Sequence, residues 1–280
     1  MRSKGRTLRA KWLGRMLRDL RESAGLSLTE AGAHIVRDKS TISRMETGYL
    51  PARMAELREL LKLFGVDDPQ LRAAMESLAR DIWVKGWWED YVPDIQVPVI
   101  DLAWLEARTN KLRHFSLPVI HGLLQTPEYA EAVMRTVDPD VPDDRMTAWL
   151  EFRMMRQDVL GRLEYTGILD EGVLQRSFGA AQVMREQLAH LLNLSERSNV
   201  TIRVLPFSAS GLVGPEGGFT LFTLPAPFPL VAQVGTDASV VQTEMPKTAR
   251  LAAAFDRFGC HALDAEESRV FIKTRMEEFA

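Results

Sequence analysis

Lys39, Ser40, Thr41 and Arg44 crowd into six residues, and all four side chains carry hydrogen-bond donors. Ile42 and Met45 share the segment at a spacing that turns them inward, so a helix here leaves the four donors outward. Side chains of this kind suit reversible recognition of an anionic partner. A guanidinium forks onto paired acceptors, an ammonium supplies a point charge, and a hydroxyl donates and accepts. The surrounding charge fits that partner. Residues 1–62 hold 14 Lys+Arg and 7 Asp+Glu, a net +7. The whole chain carries −3, so the remainder carries −10. A basic N-terminal module on an acidic body is the asymmetry of a nucleic-acid binder with a separate regulatory domain. A solvated charged face accounts for the charge alone equally well.

Covalent chemistry finds less support. The five histidines, His34, His114, His121, His190 and His261, form no metal-ligand spacing, and Cys260 lies beside His261 only. No metal and no cofactor is expected. Cys260 reads as a small buried hydrophobe near a helix end. The stretch GLVGPEGG (211–218) lacks the Gly-Lys-Ser/Thr ending of a phosphate-binding loop and reads as a flexible connection. Asp170-Glu171 follows a strand pattern, where a catalytic acid could sit. A helix cap with a first-turn acid explains it more cheaply. There is no Gly-x-Ser-x-Gly elbow, so an enzyme is not expected. Trp83, Trp87, Trp88 and Trp104 read as core and domain-interface residues before a ligand cage.

The elements that must position the donors are marked by caps. Leu13, Met16, Leu17, Leu20 and Ala24 place a helix over 8–24, ended by Gly25. Ser27-Leu28-Thr29-Glu30 is a capping box that opens a short helix to about Ile35. Asp38 caps a third helix over 39–47, and Gly48 stops it. Met54, Leu57, Leu60, Leu61 and Phe64 make a fourth. Asp68-Pro69 opens a fifth through Ile82. The aromatic segment 83–100 reads as a linker that packs on the second domain, because exposed tryptophans are costly.

Beyond it, helices are expected over 101–114, 126–136, 143–160, 180–193, 246–259 and 264–279. HFSLPVIHGLL reads as strand and loop. LEYTGILD, VTIRVLP, GFTLFTL and LVAQVGTD are strand-like runs bounded by turn residues. Leu123, Leu124 and Tyr129 of the GLLQTPEY entry pack in the core or serve a binding loop. The 280 residues bury a core without staples, and a single cysteine forms no internal disulfide. No run of 18 apolar residues is present.

The segment LRDLRESAGLSLTEAGAHIVRDKSTISRMETG resembles the helix-turn-helix of the XRE/Cro-repressor superfamily. It shares the Gly-Leu-Ser entry, the Ser27 cap and the Ile-Ser-Arg-x-Glu-x-Gly ending. GWWEDY, HGLLQTPEYAEAVMR, RMMRQDVL, LDEGVL and the run from TIRVLPF to GGFTLF resemble the C-terminal domain of actinobacterial XRE regulators, a toxin–antitoxin-like domain without assigned biochemistry. The resemblance implies base contacts in double-stranded DNA from Lys39, Ser40 and Arg44. It implies phosphate contacts from Ser27, Thr41, Arg9 and Arg15, and a structural ion pair between Arg21 and Glu46. Two positions depart from the pattern. Leu28 replaces a polar phosphate contact, and Val36 replaces the glycine common in the turn between the two helices.

The expected fold is multidomain: an all-α, five-helix, lambda-repressor-like domain over 1–80, an aromatic linker over 81–97, and a mixed α/β domain with a small sheet over 98–280. The expected function is a cytoplasmic, sequence-specific transcriptional regulator, acting as a homodimer. It would read the major groove with helix 38–47 and answer to a small protein partner on the C-terminal domain, without membrane association. The alternatives are a metabolite-sensing repressor with an effector pocket, or a protein-interaction adaptor that has lost DNA binding.

Overall fold

A computed structural model describes residues 7–83, 86–91, 95–209, 217–235, 241–243 and 246–279. The chain divides into two compact units, 1–101 and 102–280.

The first unit is helical: α1 Leu8–Ser23, α2 Leu28–His34, α3 Lys39–Glu46, α4 Met54–Leu63 and α5 Pro69–Trp83. Each boundary follows from local chemistry. The Thr7 hydroxyl accepts the Ala10 N–H at the head of α1. Ser27 and Glu30 form a reciprocal capping box on α2. Gly25 and Gly48, at φ 70° and 75°, take the left-handed turn that ends α1 and α3. Leu13, Leu17, Ile42, Met45, Leu57, Leu61 and Met75 are buried. Helix α1 packs on α3 and α5, and α2 on α3 and α4. Gly14 permits the first of these contacts. A Cβ there would lie 2.5 Å from the carbonyl oxygens of both Met45 and Glu46.

The aromatic segment behaves differently from the expected linker. A 3-10 helix, Trp87–Tyr91, follows α5, and α6, Val97–Arg108, carries the boundary between the units. Three side-chain contacts made by the described residues here fall inside the first unit. Glu89 binds Arg9, Trp88 lies under the Arg9 guanidinium, and Asp101 accepts the Leu8 N–H. Trp83 is 53% exposed, with its indole N–H on the Ala52 carbonyl.

The second unit is built on a sheet. Its elements are β1 Lys111–Ser116, α7 Pro127–Val137, α8 Asp143–Arg156, β2 Glu164–Asp170, α9 Glu171–Gln175, α10 Ala181–Leu194, β3 Val200–Leu205, β4 Phe219–Thr223, β5 Val231–Val234, β6 Val241–Thr243, α11 Lys247–His261 and α12 Ala265–Glu277. Strand order is β3-β2-β1-β4-β5-β6. Strands β1, β2 and β3 are parallel, and β4, β5 and β6 extend the sheet antiparallel. The crossover helices that parallel pairing demands are present between β1 and β2 and between β2 and β3. Phe115, Ile168, Phe219 and Leu221 meet Phe255 and Phe258 of α11 in one core.

Three described features differ from the sequence expectation. The helix expected over 101–114 stops at Arg108, because 111–116 is claimed by pairing with strands on both sides. The three-residue β6 is too short to show a pattern. Cys260 is exposed rather than buried, on the outer face of α11. The 211–218 connection lies outside the described residues except for Gly217 and Gly218. Asp170 does cap α9, its carboxylate accepting the Gly172 N–H, with Glu171 in the first turn.

The GLLQTPEY entry is core. Leu123, Leu124 and Tyr129 are fully buried. The backbone around them is held from outside: Gln187 spans the Thr126 N–H and the Leu124 carbonyl, and Gln157 donates to Gly122 and Gln125. A buried bidentate pair, Glu106–Arg156 at 2.9 and 2.8 Å, ties α6 to α8.

Candidate nucleic-acid interface

Helix α3 is the element that carries the donors, and an ion pair joins its last turn to α1. Arg21 on α1 donates to Glu46 on α3 through Nε at 2.5 Å and Nη2 at 2.9 Å. Its Nη1 reaches the Leu26 carbonyl at 2.7 Å, which fastens the turn leading into α2. The bond to Glu46 pushes the Arg21 guanidinium above its ordinary value. Both side chains are nearly buried, so the pair adds a directional contact to the packing of the first helix on the third.

The approach of α2 to α3 is equally tight. A Cβ on Gly32 would lie 2.6 Å from the Arg37 carbonyl oxygen. Val36, in the turn between them, sits at φ 55° and is 89% exposed. A branched side chain is strained in that left-handed region. The departure seen in the sequence is therefore a real structural cost, with the glycine-type backbone retained.

At the head of α3, Oδ1 of Asp38 accepts the Thr41 N–H at 2.6 Å and the Ser40 hydroxyl at 2.9 Å. Lys39 and Arg44 are exposed, and Arg44 Nη2 reaches back to the Thr41 hydroxyl at 3.3 Å. Lys39, Ser40 and Arg44 therefore share one exposed helix, with the Ser40 proton already engaged.

The expected phosphate contacts divide. Arg15 is exposed on α1. Arg9 is not available: it is 1% exposed, bonded to Glu89 at 2.5 Å and to the Asp81 carbonyl at 3.0 Å. Asp81 and Glu89 hold its guanidinium inside the first unit, so Arg9 is not placed to meet the phosphate expected of it. Thr41 is buried, so its role turns inward, toward Arg44 and the cap. Ser27 is exposed, yet its hydroxyl donates to Glu30 at 2.7 Å and accepts the Glu30 N–H. A carboxylate thus stands where a phosphate would have to approach.

Two further exposed side chains lie in the connection that follows α3. Tyr49, 67% exposed, and Arg53 flank the connection from α3 to α4. The sequence marked this stretch only as a turn. Its signal was an aromatic directly after the helix-stopping glycine, with a cation four residues on. Among the described residues, no group of three or more His, Cys, Asp and Glu side chains could hold a metal ion.

A helix-turn-helix unit with exposed cations on its third helix defines a class, the DNA-binding regulators. Residues 12–75 match the family described as "Helix-turn-helix domain". Residues 99–274 match "Domain of unknown function (DUF5753)", and the chain belongs to that family. No curated protein and no solved structure matches the chain. Among the described residues, no helix is long and apolar enough to cross a membrane.

Proposed function

We propose that the protein is a sequence-specific transcriptional regulator that reads the major groove with α3. The observation that carries this reading is the pinned α3, with Arg21–Glu46 behind it and exposed Lys39 and Arg44 in front. The N-terminal half of such a helix faces base edges in this class of docking. Arg44 forks onto guanine O6 and N7, Lys39 reaches the same acceptors, and Ser40 accepts from a base edge. Arg15 supplies phosphate contact. One module buries too little surface for tight selection, so the acting species is a homodimer. Its action is binding rather than catalysis, and its compartment is the cytoplasm.

The second unit, with most of the chain's negative charge, takes the regulatory role by binding a small protein partner. Coupling is then reciprocal: the partner changes DNA affinity, and DNA changes partner affinity by the same factor.

The test is binding of the full chain to a random duplex pool at several salt concentrations. Enrichment of one motif, with affinity falling steeply as salt rises, supports the reading. Affinity indifferent to salt, or no motif, overturns it. For regulation, the full chain serves as bait in its native lysate. A recovered protein that leaves DNA affinity unchanged removes the regulatory claim, and recovery of a metabolite alone moves it to the effector alternative.

A further inference from the structure

The sheet of the second unit has two unlike faces. Phe115, Phe219, Leu221 and Ala232 turn one face to α11 in the apolar core. Residues two apart on a strand share a face, so His114 and Ser116 of β1 lie on the other. His114 is paired across the strands with Thr220, and Thr220 with Gln233. These three make a polar row across β1, β4 and β5, with Ser116 one step further along β1. All four side chains are buried.

Part of this group is satisfied from within. His114 Nδ1 lies 2.7 Å from the Thr220 hydroxyl. The His114 ring stacks at 4.0 Å on that of His121, whose Nδ1 lies 3.2 Å from the Tyr165 hydroxyl. The rest is not. Among the described residues, Ser116 Oγ and Gln233 Oε1 are buried without a hydrogen-bond partner. Such groups carry their desolvation cost uncompensated, and apolar side chains of the same shape would avoid it. Two orphaned atoms beside a satisfied cluster point to a partner that the chain itself does not supply.

Place and chemistry narrow that partner. Strands β1, β2 and β3 run parallel, and β4 joins β1 on its other side, so the strand order reverses at the seam between β1 and β4. Open α/β sheets take small ligands at such a seam, by the carboxyl ends of the parallel strands. Ser116 is the last residue of β1, and the His114–Thr220 pair bridges the seam. The charges near this face cancel. Glu106, close enough to act on the Tyr165 hydroxyl, is engaged by Arg156 through two bonds. An ionic ligand would meet no counter-charge among the four side chains, so an uncharged one fits. Gln233 Oε1 accepts, and a serine hydroxyl can donate. The simplest uncharged group that gives a hydrogen bond to the first and takes one from the second is an amide.

We propose that the second unit binds a small uncharged amide at Ser116 and Gln233, its N–H on Gln233 Oε1 and its carbonyl on the Ser116 hydroxyl. The site is independent of how α3 reads DNA. Its side chains are covered, so entry requires local opening and association should be slow.

The experiment follows thermal unfolding of the full-length protein with uracil, caprolactam or nicotinamide at millimolar concentration, and with nicotinate as the charged counterpart. At least one amide should raise the midpoint of the native protein, and nicotinate should not. Ser116→Ala and Gln233→Leu remove one orphaned atom each. Without a probe, both variants should unfold at the native midpoint or above it, because neither atom has a partner to lose. With the stabilising amide, titration calorimetry should show each variant binding about tenfold more weakly or worse. A lowered midpoint of both variants without a probe would mean that the two atoms are partnered within the protein, and overturns the proposal. So does equal affinity in native and variant proteins, or a rise with nicotinate as large as with nicotinamide. No rise with any of the three amides assigns Ser116 and Gln233 to buried water and also overturns it.

Discussion

Arg21 and Glu46 lie 25 residues apart in the chain and meet through two nearly parallel N–H···O bonds of 2.5 and 2.9 Å. The pair joins the first helix of the first unit to the last turn of the third. Removing one member leaves the other charged and shielded from water. Glu46→Ala should therefore destabilise the first unit by about 3–5 kcal/mol. Urea unfolding followed by tryptophan fluorescence checks this, since Trp12 is buried on α1, the helix that carries Arg21. A change below about 1 kcal/mol would show that the contact is dispensable.

Arg44 and Arg15 should separate by the kind of contact each makes. Arg44→Ala should cost about 1–3 kcal/mol on a selected site and relax preference at one base pair. Arg15→Ala should weaken selected and random duplex alike and reduce the salt slope by about one. Equal losses on both duplexes for Arg44→Ala would make it a phosphate contact.

Arg9 should fail in a different way. Its guanidinium is held by Glu89 and the Asp81 carbonyl inside the first unit. Arg9→Ala should lower stability by about 3 kcal/mol or more, through an orphaned Glu89. At a temperature where the variant is still folded, its DNA affinity should match the parent. A lost affinity with unchanged stability would restore the phosphate role.

Two glycine exchanges should have opposite signs. Val36→Gly relieves a left-handed branched residue with no packing to lose, and should stabilise by about 1 kcal/mol after the cost of a freer unfolded chain. Gly14→Ala forces α1 away from two carbonyl oxygens of α3 and should destabilise by about 1–3 kcal/mol. Thermal midpoints of the two variants, rising and falling respectively, are the readout.

Asp101 should make stability depend on pH. Burial pushes its carboxyl from 3.8 up to about 6, against the opposing Leu8 N–H bond. The folded state then binds this proton more tightly than the unfolded chain does. The contribution is fully present below about pH 3.8 and is lost as pH rises through about 6. Its full size is about 2–3 kcal/mol. Asp101→Asn should abolish that component, so the stability gap between native and variant proteins should change across pH 4–7. A gap independent of pH would place the carboxyl at its ordinary value.

Local chemistry explains what could be read from the residues alone. Ser27 with Glu30, Asp38, Gly25 and Gly48 act on their own immediate backbone, so the ends of α1, α2 and α3 were legible before any fold was known. The strand runs at 164–170 and 219–223 were legible by composition. The donors on α3 were legible as residue types, and a resemblance to the repressor superfamily gave them roles.

Long-range contacts decided the rest. Whether Arg9 could meet a phosphate depended on Glu89, 80 residues away, folding back over it. Whether Thr41 faced outward depended on its packing within the unit, and whether Ser27 and Ser40 had protons to give depended on neighbouring carboxylates. Residues 111–114 carried a helical pattern and became a strand because β2 and β4 flank them. Strand order follows from pairings such as Lys111 with Glu164 and with Thr223, 53 and 112 residues apart, which no local propensity encodes. The sequence by itself determined a basic helical unit with helix-turn-helix signals, followed by a mixed α/β body. Tertiary structure alone decided which side chains of that unit remain available to a partner, because availability is set by neighbours the chain brings in from afar.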